Sequence, residues 1–85
     1  MTSAAVQEAV IDVLKDVSRR PIEPALDSDL IADLGFDSLQ VMETIAQLED
    51  RFGIAISTDN LAGTRTVADV VARVVELGES RPGTS

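Results

Sequence analysis

The chain has 85 residues, a hydrophobic content of 45% and a formal net charge of −8 from fifteen acids and seven bases. This length allows one small domain, and the acidic charge argues against nucleic acid and anionic membrane surfaces as partners. With no Cys and no His, the chain lacks disulfides, the usual zinc ligands and the common nucleophilic pairs. We therefore expect that the protein is not an enzyme and that it has no catalytic residue and no metal site.

No apolar run is long enough to span a bilayer, and the N-terminus lacks the features of a signal peptide. We therefore expect a cytoplasmic protein.

The first predicted helix covers residues 3–19, with Ser3 as its N-cap. Its apolar residues follow helical spacing on one stripe: Val6, Val10, Val13, Leu14 and Val17. Pro21 and Pro24 prevent the helix from continuing. Residues 20–37 then form a long connection, with a short helical turn expected at 29–34. We expect five apolar side chains to anchor it onto the core: Leu26, Leu30, Ile31, Leu34 and Phe36.

The second predicted helix covers residues 38–52 and ends before Gly53. Its predicted buried stripe is Val41, Ile45, Leu48 and Phe52. Residues 54–56 are an extended link to a short third helix at 58–61. Thr66 caps the last helix, whose stripe is Val67, Val70, Val71 and Val74.

The predicted fold is all-α: an antiparallel four-helix bundle, of three main helices and one short one, with a long loop between helices 1 and 2. The domain covers residues 1–80, and residues 81–85 form a disordered tail.

Negative charge is concentrated in the middle of the chain. Residues 22–50 contain no base and eight acids: Glu23, Asp27, Asp29, Asp33, Asp37, Glu43, Glu49 and Asp50. Such a run is usually a solvated surface, but here it surrounds a serine at a helix start. A docking surface for basic partners is therefore favoured. A calcium loop is rejected, because Ile31, Ala32 and Ser38 occupy the positions where an EF-hand needs an oxygen ligand, Gly and Glu.

Ser38 has two interpretations, a helix cap or an exposed reactive hydroxyl. Asp37 can cap the helix by itself, which leaves the Ser38 hydroxyl free. Leu39 and Met42 lie off the predicted buried stripe and flank this hydroxyl. An apolar pair with a charged rim is typical of a transient interface.

The run Leu34-Gly35-Phe36-Asp37-Ser38-Leu39, followed by Glu43 and by residues 48–54, resembles the acyl carrier protein family. The resemblance extends over nearly the whole chain. It implies a four-helix bundle whose Ser38 carries 4′-phosphopantetheine, a cofactor with a terminal thiol that holds acyl groups as thioesters. It also implies a partner-docking face on the second helix, comprising Asp37, Leu39, Met42 and Glu43, with Ala46 and Glu49 extending it.

The resemblance further implies a phosphopantetheinyl transferase as a partner, and ketosynthases, acyltransferases or other acyl-processing enzymes with basic docking surfaces. We expect a monomer. Bacterial fatty-acid carriers usually have Ala at the position of Phe36 and an acid at the position of Gln40. Because this chain differs from them at both positions, the resemblance favours polyketide-type carriers. Two alternatives remain open: a peptidyl or aminoacyl carrier of a non-ribosomal pathway, and an acidic helical binding module that is never modified.

Overall fold

The computed structural model describes residues 2–57 and 63–79. In these ranges it has three α-helices, α1 (Ser3–Val17), α2 (Ser38–Phe52) and α3 (Val67–Glu79). The same ranges contain no β-strand, only an isolated bridge between Asp29 and Thr66. The all-α prediction is therefore confirmed. The predicted short helix at 58–61 and the predicted tail at 81–85 lie outside the described residues.

Helix α1 begins and ends differently from the prediction. Its N-cap is Thr2, whose Oγ1 accepts a hydrogen bond from Ala5 N at 3.2 Å, so the assignment of Ser3 as the cap is wrong by one residue. The helix ends at Val17 rather than at residue 19, because Ser18 takes extended backbone angles. Arg20 precedes Pro21, and a residue before proline is disfavoured in the α conformation.

Helix α1 supplies the centre of the core and packs against both α2 and α3. All five residues of its predicted stripe are buried, and Ala9 is buried with them. The predicted stripe of α3 is buried as well. Since aromatic side chains are scarce, aliphatic packing supplies most of the apolar burial. Among the helices in the described ranges, none combines the length and apolar character needed to cross a membrane.

The long connection between α1 and α2 is fixed onto the core by three apolar side chains, Leu30, Leu34 and Phe36. Leu26 and Ile31 do not anchor it, because they are 42% and 62% exposed, and that part of the prediction is wrong. The predicted turn at 29–34 is present, with hydrogen bonds from the amides of residues 33 and 34 to the carbonyl of residue 29.

The connection also pairs with the start of α3 through its backbone. The Leu30 amide donates to the Arg65 carbonyl at 2.9 Å, and the Ala68 amide donates to the Leu26 carbonyl at 2.8 Å. Leu26 therefore contributes through its backbone although its side chain is exposed. These bonds fix the part of the connection that leads into the turn at 29–34 against the start of α3.

Two carboxylates stabilise this junction. Asp69 Oδ2 accepts from the amides of Arg65 and Thr66, each at 3.0 Å, and Thr66 Oγ1 accepts from Asp69 N at 3.2 Å. The prediction that Thr66 caps the last helix is confirmed. Asp29 Oδ1 accepts from the amides of Ile31 and Ala32. These backbone hydrogen bonds lower the pKa of both Asp69 and Asp29.

This arrangement predicts acid sensitivity. A carboxyl group whose pKa is lower in the folded state stabilises the fold above its unfolded pKa of about 3.9. That stabilisation is lost as the pH falls below this value and through the folded pKa. Asp69→Asn should therefore weaken the decline in the free energy of unfolding between about pH 5 and pH 3, measured by urea denaturation.

Asp12→Asn on the exposed side of α1 is the matched control, since this carboxylate makes none of these bonds. It should leave the acid-dependent decline close to that of the wild type. A decline in Asp69→Asn as steep as in the control would contradict the assigned role.

Candidate functional site

A reciprocal pair of hydrogen bonds defines the start of α2. Asp37 Oδ1 accepts from Gln40 N at 2.8 Å, and Gln40 Oε1 accepts from Asp37 N at 3.2 Å. This is a capping box, which satisfies two backbone donors at once. Asp37, and not the following serine, is therefore the N-cap, as the sequence predicts.

Ser38 is the first residue of α2 and is exposed. Its Oγ has no hydrogen-bond partner within the part of the chain that the structure describes. Other serine hydroxyls are engaged: Ser18 Oγ bonds to the Arg20 carbonyl, and Ser28 Oγ accepts from Ala25 N. The structure therefore leaves Ser38 Oγ accessible at a position where neither capping nor packing uses it.

The residues just before Ser38 hold it in a defined position. Gly35 has a φ of +73°, in the left-handed region that favours glycine. Phe36 is 3% exposed, and its amide donates to the Leu30 carbonyl at 3.0 Å. Because a buried ring and a fixed turn lie directly upstream, the serine is presented by a rigid entry to the helix.

A stripe of exposed side chains runs down α2 from this entry. Leu39 and Met42 are 57% and 65% exposed, and Glu43 and Ala46 are exposed beside them. Their spacing of three and four residues places them on one face of the helix. Four of the six predicted docking residues thus form one continuous surface, which we call the α2 stripe (Leu39, Met42, Glu43 and Ala46). Asp37 is exposed at its head.

Glu49, the sixth predicted docking residue, is placed differently. It is half-buried, and its Oε2 accepts a hydrogen bond from Ile56 N at 2.8 Å. Its carboxylate thus fixes the extended link that follows α2. Gly53 ends the helix with a φ of +63°, as predicted.

The acidic segment has two groups of carboxylates. Asp29, Asp33, Asp37 and Glu49 accept hydrogen bonds from backbone amides. The others, all exposed, are Glu23, Asp27, Glu43 and Asp50. Four of the eight acids in residues 22–50 therefore also stabilise turns and helix ends. No cluster of three or more potential metal ligands occurs within residues 2–57 and 63–79.

The buried face of α2 includes two polar residues that the hydrophobic pattern did not identify. Gln40 is 6% exposed and Thr44 is 1% exposed, and Thr44 Oγ1 donates to the Gln40 carbonyl at 2.9 Å. Ile45 and Leu48 are buried as predicted, whereas Val41 and Phe52 are only partly buried against the core. The Asp37-x-x-Gln40 spacing of a capping box was the sequence signal for Gln40.

Two arginines from the segment directly after α1 reach the residues that lead into α2, which the sequence did not predict. Arg19 Nη1 lies 4.0 Å from Asp37 Oδ2, and Arg20 Nη2 donates to the Leu34 carbonyl at 3.4 Å. They line a surface groove of about 350 Å³ together with Gly35, Asp37 and Gln40. The site thus combines an accessible hydroxyl, an apolar and acidic helix face, and a local pair of cations.

Comparison with known proteins shows which family the chain resembles. Residues 6–74 match the protein family described as "Phosphopantetheine attachment site". A meromycolate extension acyl carrier protein from Mycolicibacterium smegmatis is 38% identical over 84 residues, which cover 93% of this chain and 85% of that protein. An acyl carrier protein from Exiguobacterium sibiricum is 42% identical over 69 residues, covering 81% of this chain and 84% of that protein.

The fold gives the same result. A solved structure described as an acyl carrier protein from Mycobacterium tuberculosis matches with a TM-score of 0.78 at 35% identity, covering 84% of this chain and 96% of that one. The chain belongs to the acyl carrier protein family. The cofactor implied by the sequence resemblance, covalently attached 4′-phosphopantetheine, is confirmed at the level of the family.

The described residues fit such a cofactor. A phosphodiester needs an accessible hydroxyl, and the exposed Ser38 Oγ meets that requirement. Arg19 and Arg20, which line a groove together with the preceding residue Asp37, can bind the negative charge that attachment would add.

Proposed function

We propose that Ser38 is the attachment point of the 4′-phosphopantetheine arm and that the protein carries acyl groups between enzymes. One observation supports this assignment above all others: an exposed serine with an uncommitted Oγ begins α2, while Asp37 performs the capping. The cofactor supplies a thiol, which this chain lacks, for holding acyl groups as thioesters. The protein is then a carrier rather than an enzyme.

Attachment is a group transfer from coenzyme A. Ser38 Oγ attacks the phosphorus atom that bears the pantetheine chain, and a new oxygen–phosphorus bond forms. The bond to the second phosphate of coenzyme A breaks, and adenosine bisphosphate leaves. The serine proton passes to a general base of the phosphopantetheinyl transferase.

We further propose that the α2 stripe, with Asp37 at its head, is the surface that partner enzymes contact. An apolar centre of Leu39 and Met42 beside the Glu43 carboxylate suits a partner with a basic rim. The acyl carrier role requires contact with a transferase and with acyl-processing enzymes. Exposed ion pairs are individually weak, so a monomeric carrier could dock and leave quickly. Glu49 contributes charge at the edge of this surface.

The pathway that we propose is elongation of a fatty-acid-type chain. The supporting observation is that the mycobacterial relatives are named meromycolate extension acyl carrier proteins. This differs from the polyketide pathway that Phe36 and Gln40 favour, which stays a prediction. An acyltransferase or a ketosynthase of the elongation pathway would be the partner that loads or extends the chain.

The direct test is coexpression with a broad-specificity phosphopantetheinyl transferase, followed by intact-mass measurement. We expect the mass of one arm to be added, and peptide fragmentation to place it on Ser38. A chain that stays unmodified under these conditions would contradict the carrier function and favour the acidic binding module. An arm on another residue would overturn the site but keep the family function.

A further inference from the structure

The arm is expected to begin one residue after Asp37, which lines a groove together with Arg19 and Arg20. Resting on the function proposed for Ser38, we propose that Arg19 and Arg20 bind the phosphodiester at the base of the arm. We use the name arm-root groove for the groove lined by Arg19, Arg20, Gly35, Asp37 and Gln40.

The position of the groove supports this proposal. Asp37 lines the groove and directly precedes Ser38, and consecutive Cα atoms are only about 3.8 Å apart. Arg20 lies directly over Gly35: a Cβ added to this glycine would be 2.7 Å from Arg20 Nη2. The absence of a side chain at Gly35 therefore lets the guanidinium approach the loop that leads to Ser38.

The guanidinium groups keep donors for a phosphate. Arg19 makes a 4.0 Å contact with Asp37, and the two side chains are 69% and 56% exposed. Such an exposed pair is weak and can exchange one anionic partner for another. Arg20 donates to the Leu34 carbonyl at the long distance of 3.4 Å. Since an arginine has five N–H donors, both can also bind phosphate oxygens.

The charges around Ser38 give a physical reason for a contact between the arginines and the phosphodiester. A phosphodiester on Ser38 places a second negative charge beside Asp37, within a segment, residues 22–50, that has no base. The arginines, which lie in the segment directly after α1, offset that repulsion. Gln40, which also lines the groove, is neutral. An acid there would place a carboxylate in the groove and compete with the phosphate for the arginines.

Binding the phosphate in the arm-root groove would direct the base of the arm along the α1 side of the serine. The α2 stripe would then stay open for a partner enzyme. The contact is largely electrostatic and solvent-exposed, so it should be screened by salt. This dependence provides a readout that does not involve any enzymatic activity.

The test uses fully modified protein and ³¹P NMR. We expect the phosphodiester resonance of the wild type to move as salt rises from about 0.01 M to about 1 M, where the Debye length falls from about 30 Å to about 3 Å. In Arg19→Gln/Arg20→Gln this movement should fall by more than half. Arg51→Gln, which removes the same charge at the far end of α2, should retain it.

A second measurement separates loss of the phosphate contact from altered folding of the double variant. The Nε–Hε resonances of Arg19 and Arg20 should shift between the unmodified and the modified wild-type protein, whereas that of Arg51 should not. Arg19→Gln alone, which loses only a surface contact, should reduce the ³¹P movement while amide resonances change only close to residue 19.

The possible failures are distinguishable. If intact mass shows no arm on Ser38, the proposed attachment site fails. If the arm is on Ser38 but the ³¹P resonance behaves alike in the double variant and in Arg51→Gln, only the proposal for Arg19 and Arg20 is overturned.

Discussion

Ser38→Ala is expected to abolish phosphopantetheinylation completely while leaving the stability of the fold almost unchanged. The loss should be total because Oγ is the atom that forms the phosphodiester. Stability should be retained because Ser38 is exposed and its Oγ has no hydrogen-bond partner in the described part of the chain. Alanine also has the highest intrinsic helix propensity, so the first turn of α2 tolerates it. Intact mass and urea denaturation give the two readouts.

Asp37→Ala is the matched control at the adjacent residue. It should lower the stability of the fold but still allow the arm to be added. It removes the oxygen that accepts from Gln40 N, and loss of an N-cap costs about 0.5–2 kcal/mol. It keeps the serine, so the arm is still added, at a reduced rate if Asp37 also contacts the transferase. If Ser38→Ala were modified, or destabilised as much as Asp37→Ala, the roles assigned to these two residues would be wrong.

The helices and the entry to α2 could be predicted well from the sequence. The valine stripes of α1 and α3 have regular helical spacing, and both stripes are buried. The bounds predicted for α2, residues 38–52, agree with those observed. Here Asp37 and Gly53 are both strong local signals, a side chain that caps the start and a glycine that ends the helix in the left-handed conformation.

The errors arose where contacts between distant segments decide the outcome. Leu26 and Ile31 are apolar, but their side chains stay exposed because backbone pairing with residues 65–68 fixes the path of the loop. Hydrophobicity alone does not indicate which side of a loop faces inward. Thr44 was missed for a related reason, since it satisfies its hydroxyl on a carbonyl of its own helix and can therefore be buried.

The arginines of the arm-root groove could not be placed from the sequence either. Arg19 and Arg20 precede Ser38 by nearly the whole length of the connection, and within the acidic segment itself there is no base. Their position depends on the direction in which α1 ends and on the turn at 29–34. The sequence therefore indicates a uniformly acidic surrounding for Ser38, whereas the structure places two cations against the segment that leads into it, at Asp37 and at the Leu34 carbonyl.

Leu48→Ala and Leu39→Ala, the same substitution on opposite faces of α2, are expected to separate folding from docking. Leu48 is 0% exposed, and replacing a fully buried leucine by alanine costs about 2–5 kcal/mol. A domain of this size has a free energy of unfolding of roughly 4–13 kcal/mol. Leu48→Ala should therefore remove a large part of the stability, measured as a lower urea midpoint.

Leu39→Ala should change the free energy of unfolding by no more than about 0.5 kcal/mol, because the side chain is 57% exposed. Intrinsic helix propensity changes equally in the two variants, so the difference between them reports burial. If the α2 stripe is the docking surface, Leu39→Ala should still slow transfer of the arm several-fold, measured by intact mass over time. A wild-type rate in this variant would contradict the docking role of Leu39, and a loss of stability similar to that of Leu48→Ala would contradict its exposure.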